Sequence, residues 1–192
     1  MKKLISLSLG VLVTFYSIVS AQESYKINPS RSKIVVEGTS SLHDWEMKVE
    51  RMMAKMNVVK ESQKISDIKD VSLSLHTKDI LSDNSIMNGK TQDALKADKY
   101  EQIKFDLQSV SGLTFTSGSF SGVARGNLFI AGKSRQVEVP FKGKVNGNES
   151  LLITGTEKIK MSDFGISPPT AMLGTLKTGD EVDIVFELEF IK

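Results

Sequence analysis

Few side chains in this sequence have any capacity for chemistry, and their spacing limits what they can do. His43-Asp44 stands immediately before Trp45, the one tryptophan of the chain. An imidazole, a carboxylate and an indole N–H in succession can meet a polar head group, the indole adding an apolar face and a single donor. The same three residues also suit a turn in which Asp44 holds local amides and Trp45 plugs a core. The second histidine, His76, shares its parity with Ser72 and Ser74 and so is expected to face solvent. Two lone, widely spaced histidines lack the clustering of a metal site, and the chain has no cysteine to supplement them. No Gly-x-Ser-x-Gly elbow is present; Gly118-Ser119-Phe120-Ser121-Gly122 reads as a loop running into a strand. The acids mostly alternate outward along strands instead of converging in pairs. Neither catalysis, a metal nor a cofactor is expected.

The remaining signal is apolar. Methionines recur at 47, 52, 53, 56, 87, 161 and 172. Methionine adapts to irregular apolar volumes, and it serves equally as ordinary core filling. Met87 and Met172 lie on segments that can cover an opening. Phe164 is either a pocket wall or the end plug of a core. The candidate ligand-lining set is His43, Trp45, Met47, Met87, Phe105, Phe120, Leu128, Phe141, Met161, Phe164, Met172 and Phe186.

The elements that must position these residues are mostly strands. In the last one, Val182, Ile184, Phe186, Leu188 and Phe190 share a face, while Asp183, Glu187 and Glu189 fall on the other. That alternation is the mark of a strand buried on one side and wet on the other. Tyr25–Asn28 and Lys33–Thr39 form a first strand interrupted at Asn28-Pro29-Ser30. Trp45–Val59 switches parity near Glu50-Arg51, which implies a bulge. Strands around 71–75, 103–107, 120–130, 137–145 and 151–161 follow, the sixth with Pro140 on its outer parity and hence at a bulge or edge. Asn146-Gly147-Asn148 makes a hairpin turn. One helix is predicted over about 83–98, capped by Ser82 or Asp83, with Ile86, Met87, Lys90, Ala94 and Leu95 on one side. Its narrow apolar stripe places it on the sheet or across an opening. A short helical turn is expected at about 170–174, after Pro168-Pro169. Eight antiparallel strands make an all-β fold, either a small barrel or a two-sheet sandwich.

The first 21 residues read as a cleaved secretory signal peptide: a basic start at Lys2-Lys3, an apolar run from Leu4 to Val19, and the small-residue site Ser20-Ala21. Its removal leaves one domain, 22–192, and takes away two lysines and no acid, so the formal charge of +2 falls to zero. A neutral mature chain has no electrostatic footprint for nucleic acid or an anionic membrane. A periplasmic or secreted location in a bacterial envelope is expected.

Several stretches together resemble the YceI-like family of secreted lipid- or polyisoprenoid-binding proteins. They are Tyr100-Glu101-Gln102-Ile103-Lys104-Phe105, the hairpin Gly126–Ser134 with Val137 in step beyond it, and Asp163-Phe164-Gly165-Ile166. The similarity spans nearly all of residues 24–191. Glu101, Met161 and Arg31 depart from the proline, arginine and histidine common in the family at those places. The resemblance implies an eight-stranded, up-and-down, lipocalin-like barrel holding a polyisoprenoid, an isoprenoid quinone, or a fatty acid or amide chain. The partner is then a small hydrophobic or amphiphilic molecule. Two other classes share the strand pattern: a filled barrel acting as an interaction or stress-response module, and an outer-membrane barrel with its apolar parity turned to lipid.

Overall fold

The computed structural model describes residues 20–62, 64–147, 150–171 and 174–192. Residues 1–19, most of the expected signal peptide, lie outside the described residues, as does Met172. Twelve strands and one α-helix are found among the described residues. In chain order they are β1 (Ser20–Ile27), β2 (Lys33–Ser40), β3 (Trp45–Val49), β4 (Met52–Glu61), β5 (Lys64–His76), β6 (Ile80–Leu81) and α1 (Ser85–Leu95). There follow β7 (Gln102–Thr116), β8 (Ser119–Ile130), β9 (Lys133–Asn146), β10 (Ser150–Lys160), β11 (Thr170–Ala171) and β12 (Leu176–Ile191).

Register reduces these to eight staves. β1 and β2 lie one after the other along the same edge of β12, through Lys26↔Ile191 and then Lys33↔Glu187 to Gly38↔Val182. A 3-10 turn at Pro29–Arg31 interrupts them, at the break the sequence marks. β4 pairs with β1 while β3 pairs with β2, so these two also form a single stave. Their break at Glu50-Arg51 is the bulge that the parity switch requires. It is pinned by Asp79, whose carbonyl accepts from the Glu50 N–H and whose buried carboxylate takes both guanidinium arms of Arg51. β5 and β6 make the third stave, and antiparallel pairing runs on through β7, β8, β9, β10 and β12. The pairing of β12 with β1 and β2 closes the ring. The fold is an up-and-down barrel, not a sandwich.

Inside and outside follow parity. Ile34, Met47, Met56, Leu75, Ile103, Leu128, Phe141, Leu151, Leu188 and Phe190 are buried inward. Most charged strand residues alternate outward, the reverse of a lipid-embedded barrel. Pro140 sits where the β9–β10 ladder ends: pairing stops at Phe141↔Gly155, so its missing N–H leaves no gap in that ladder. At the hairpin between β8 and β9, Ala131 and Gly132 take positive φ of 48° and 80°, the left-handed pair a two-residue turn requires.

Two expectations need correction, the helix cap and the exposure of Glu189. The expected helix is present over Ser85–Leu95, and its cap is not Ser82 or Asp83 but Asn84, whose side chain accepts from the Ile86 and Met87 N–H groups. Ser82 is occupied with Asn88 instead. Of the helical turn expected at about 170–174, residues 172 and 173 lie outside the described residues; Gly174 is in a 3-10 turn, and Thr170–Ala171 before it is extended and pairs with Leu176-Lys177. Glu189, on the outer parity, is not wet: it lies beneath the Pro29–Arg31 turn at 4% exposure, accepting from Asn28 Nδ2 and facing Arg31.

Candidate functional site

The barrel interior is not filled. A cavity of about 510 Å³ runs through it. Its wall is built from inward positions of every stave, including Val36, Met47, Leu73, Phe105, Leu128, Val139, Ile153 and Phe186. At roughly 30 Å³ for a water-sized group, the space takes roughly seventeen methylene-sized units.

The wall stays thin because aromatic rings are seated on glycines of neighbouring strands. A Cβ at Gly126 would fall 2.5 Å from the ring of Phe105, and one at Gly155 the same distance from that of Phe186. At Gly38 it would lie 2.7 and 2.8 Å from two indole carbons of Trp45. Phe120 likewise occupies the place of a side chain at Gly143. Each large ring therefore fills space left by an absent side chain instead of projecting fully into the lumen.

One end is covered and the other sealed. At the covered end, α1 crosses the mouth with Met87, Lys90, Thr91, Ala94 and Leu95 turned to the cavity. Lys90 Nζ donates to the Thr170 carbonyl at 2.9 Å, and the Thr91 hydroxyl donates to Met47 Sδ at 3.1 Å, tying the helix to both sides of the opening. Leu42 and Ile86 border the same mouth and remain 67% and 72% exposed. At the far end, Tyr25 is buried and donates to Glu23 at 2.8 Å. Lys60 meets Glu23 at 2.6 Å and Lys192 meets it at 2.9 Å. Burial works against the charge of Glu23, but hydrogen bonds from Lys60, Lys192 and Tyr25 outweigh it and lower the carboxyl to about 2. This ionic plug joins residues from opposite ends of the sequence, so no local pattern signals it.

Nine of the twelve candidate residues border the cavity: His43, Trp45, Met47, Met87, Phe105, Leu128, Phe141, Met161 and Phe186. Phe120 and Phe164 are buried off the wall, in the packed core. Phe120 packs edge-on to Phe141, centroids 6.3 Å apart. His43 is exposed at the mouth, its Nδ1 2.6 Å from the Asp44 carbonyl. Trp45 donates from Nε1 to the Thr39 carbonyl at 2.9 Å, so its one donor is occupied. His76 is exposed, and among the described residues no three His, Cys, Asp or Glu side chains cluster as metal ligands.

Sequence reasoning missed Glu157. The inward parity of β10 reads Leu151, Ile153, Gly155, Glu157, Ile159, so one acid stands on the apolar face and borders the cavity. The strict alternation was the signal. Burial raises the Glu157 carboxyl above its ordinary range, and the negative charge of Glu138 adds to the effect.

Comparison with known proteins agrees with this architecture. A model of the YceI-like domain matches residues 25–190. Burkholderia cenocepacia BcnA superposes with a TM-score of 0.66 at 19% identity, over 85% of this chain and 98% of that one. A polyisoprenoid binding domain from Saccharophagus degradans, implicated in plant cell wall breakdown, gives 0.70 at 12% identity, over 87% and 97%. The Campylobacter jejuni YCEI protein gives 0.54 at 14% identity, over 98% and 92%. Among curated protein sequences none matches the chain.

Proposed function

Since the chain belongs to the YceI-like family and encloses a long apolar cavity, we propose that it is a binding protein for a long hydrophobic chain, working without covalent chemistry. The cavity carries this reading: about 510 Å³, walled by aliphatic and aromatic side chains, with most of its polar border at the mouth. Ligand pockets of a few hundred to a thousand cubic ångströms are the usual size for one small molecule. Burying each methylene contributes about 0.8 kcal/mol, so roughly seventeen contribute about 14 kcal/mol before association costs of about 4–15 kcal/mol. A chain of three or four isoprene units is therefore enough for useful affinity. The relative named for polyisoprenoid binding supports an isoprenoid, an isoprenoid quinone or a fatty chain as occupant.

We place the mature protein, residues 22–192, in the bacterial periplasm or outside the cell. The basic-then-apolar first 21 residues support export, and no helix among the described residues is long and apolar enough to cross a membrane. The role is that of a carrier or scavenger, not an enzyme. Purification from the native host, organic extraction and mass spectrometry test it. One long-chain molecule per protein is expected; a chain that comes off lipid-free and takes up no isoprenoid or fatty probe overturns it.

A further inference from the structure

The mouth and the wall offer a ligand two different polar environments. At the mouth stand His43, Lys90 and Lys177. Lys90 already donates to Thr170, and Lys177 is turned to solvent. Beyond these three, Glu157 is the one titratable side chain on the cavity wall among the described residues, two residues along β10 from Ile159, which pairs with Val182 and through it with Gly38 beside Trp45. It lies opposite Ile184 on β12, and on its other side the β9–β10 ladder has already ended, at Gly155. Its neighbour along the strand, Lys158, points outward to Asp183 at 3.5 Å. From β9, Glu138 acts on it as a like charge, itself engaged by Arg125 of β8. No described group donates a hydrogen bond to Glu157, so the carboxylate borders the lumen with its accepting capacity unused.

A bare hydrocarbon laid along this wall would strip water from the carboxylate and return nothing, which costs on the order of a lost hydrogen bond or more. An anionic chain would add like-charge repulsion in a medium of low polarity. A chain bearing a hydroxyl, amide or amine N–H at that position would satisfy the acceptor. Resting on the carrier reading above, we infer that the occupant is an amphiphile whose hydrogen-bond donor is held inside the barrel against Glu157, and that carboxylate-headed chains are selected against.

Competition binding to the delipidated full chain at pH 8, with sixteen-carbon probes differing only in the terminal group, tests this. The probes are the primary alcohol, the amine, the carboxylic acid and the alkane. In the unaltered protein the alcohol and amine are expected to bind at least tenfold tighter than the acid. Glu157→Gln removes the charge but keeps an acceptor, and should narrow the alcohol-to-acid ratio to within threefold. Glu157→Leu should bring the alkane level with the alcohol and leave Tm unchanged or raised, which separates loss of recognition from misfolding. Equal or tighter binding of the acid to the unaltered protein, or ratios untouched by both variants, overturns the inference while the carrier reading stands. Failure of every probe to bind overturns both.

Discussion

Gly38→Ala isolates the seat on which Trp45 rests. The backbone at Gly38 is not in the left-handed region, so alanine is free of strain there, and in a strand it is intrinsically better than glycine by about 0.5–1 kcal/mol. Propensity therefore favours the substitution. Packing opposes it: the new methyl would lie 2.7 and 2.8 Å from two indole carbons, against an ordinary separation of about 3.5–4.0 Å. The ring must withdraw by about 1 Å, which stretches the 2.9 Å bond from its Nε1 to Thr39 beyond hydrogen-bonding range. Overpacking costs about 1–3 kcal/mol and the lost hydrogen bond about 1 kcal/mol, so a net loss of about 1–3 kcal/mol is expected. For a domain of this size Tm falls by about 2–4 °C per kcal/mol, which a thermal melt resolves. With a single tryptophan in the chain, the emission maximum reports the displacement directly, and long-chain ligand should weaken because the indole borders the cavity mouth. A variant with unchanged or higher Tm, the parent emission spectrum and undiminished affinity would refute the reasoning, since propensity alone would then have decided the outcome.

Three further perturbations probe other parts of the barrel. Ala124→Phe places a ring in empty lumen; Tm is expected to stay within about 3 °C while titration calorimetry shows at least a tenfold loss of long-chain affinity. Asn84→Ala removes the acceptor of two helix N–H groups and loosens the cover by about 1 kcal/mol, so ligand release measured by stopped flow should quicken about fivefold. Glu23 is held at about 2, below its ordinary 4.5. Its contribution is complete well above 4.5 and is lost as pH falls through 2, so Glu23→Gln should lower stability by about 1–2 kcal/mol at pH 7 and by only a small fraction of that at pH 2 in denaturant melts.

The staves were legible because a period of two survives in nearly every one of them, and the parity switch at Glu50-Arg51 placed the break between β3 and β4 without any structure. The narrow stripe on the helix placed it on the sheet or across an opening, and the structure sets Met87, Ala94 and Leu95 at the opening. What sequence cannot supply is cross-strand register. Phe105 rests on Gly126 and Phe186 on Gly155 only because pairing brings them together, so no local pattern marks these glycines as seats for rings. Phe120 shares the inward parity of the wall residues and Phe164 ends a 3-10 turn, yet both are buried off the cavity, a placement no local pattern reveals. Asn84 outcompetes Ser82 as cap because Ser82 is held by Asn88, a partner six residues on that local propensity does not reveal. Glu157 was visible on the page of the sequence, as an acid on an otherwise apolar parity.

An affinity series against chain length probes the enclosed hydrocarbon site most directly. With the delipidated protein and otherwise identical alcohols of eight to thirty carbons, each added methylene should tighten binding by about 0.8 kcal/mol, close to fourfold. The gain should level off near roughly seventeen carbons, where the lumen is full. Affinity that ignores chain length, or that keeps climbing at the same slope to thirty carbons, would mean the chain lies on the surface and the cavity is not its site.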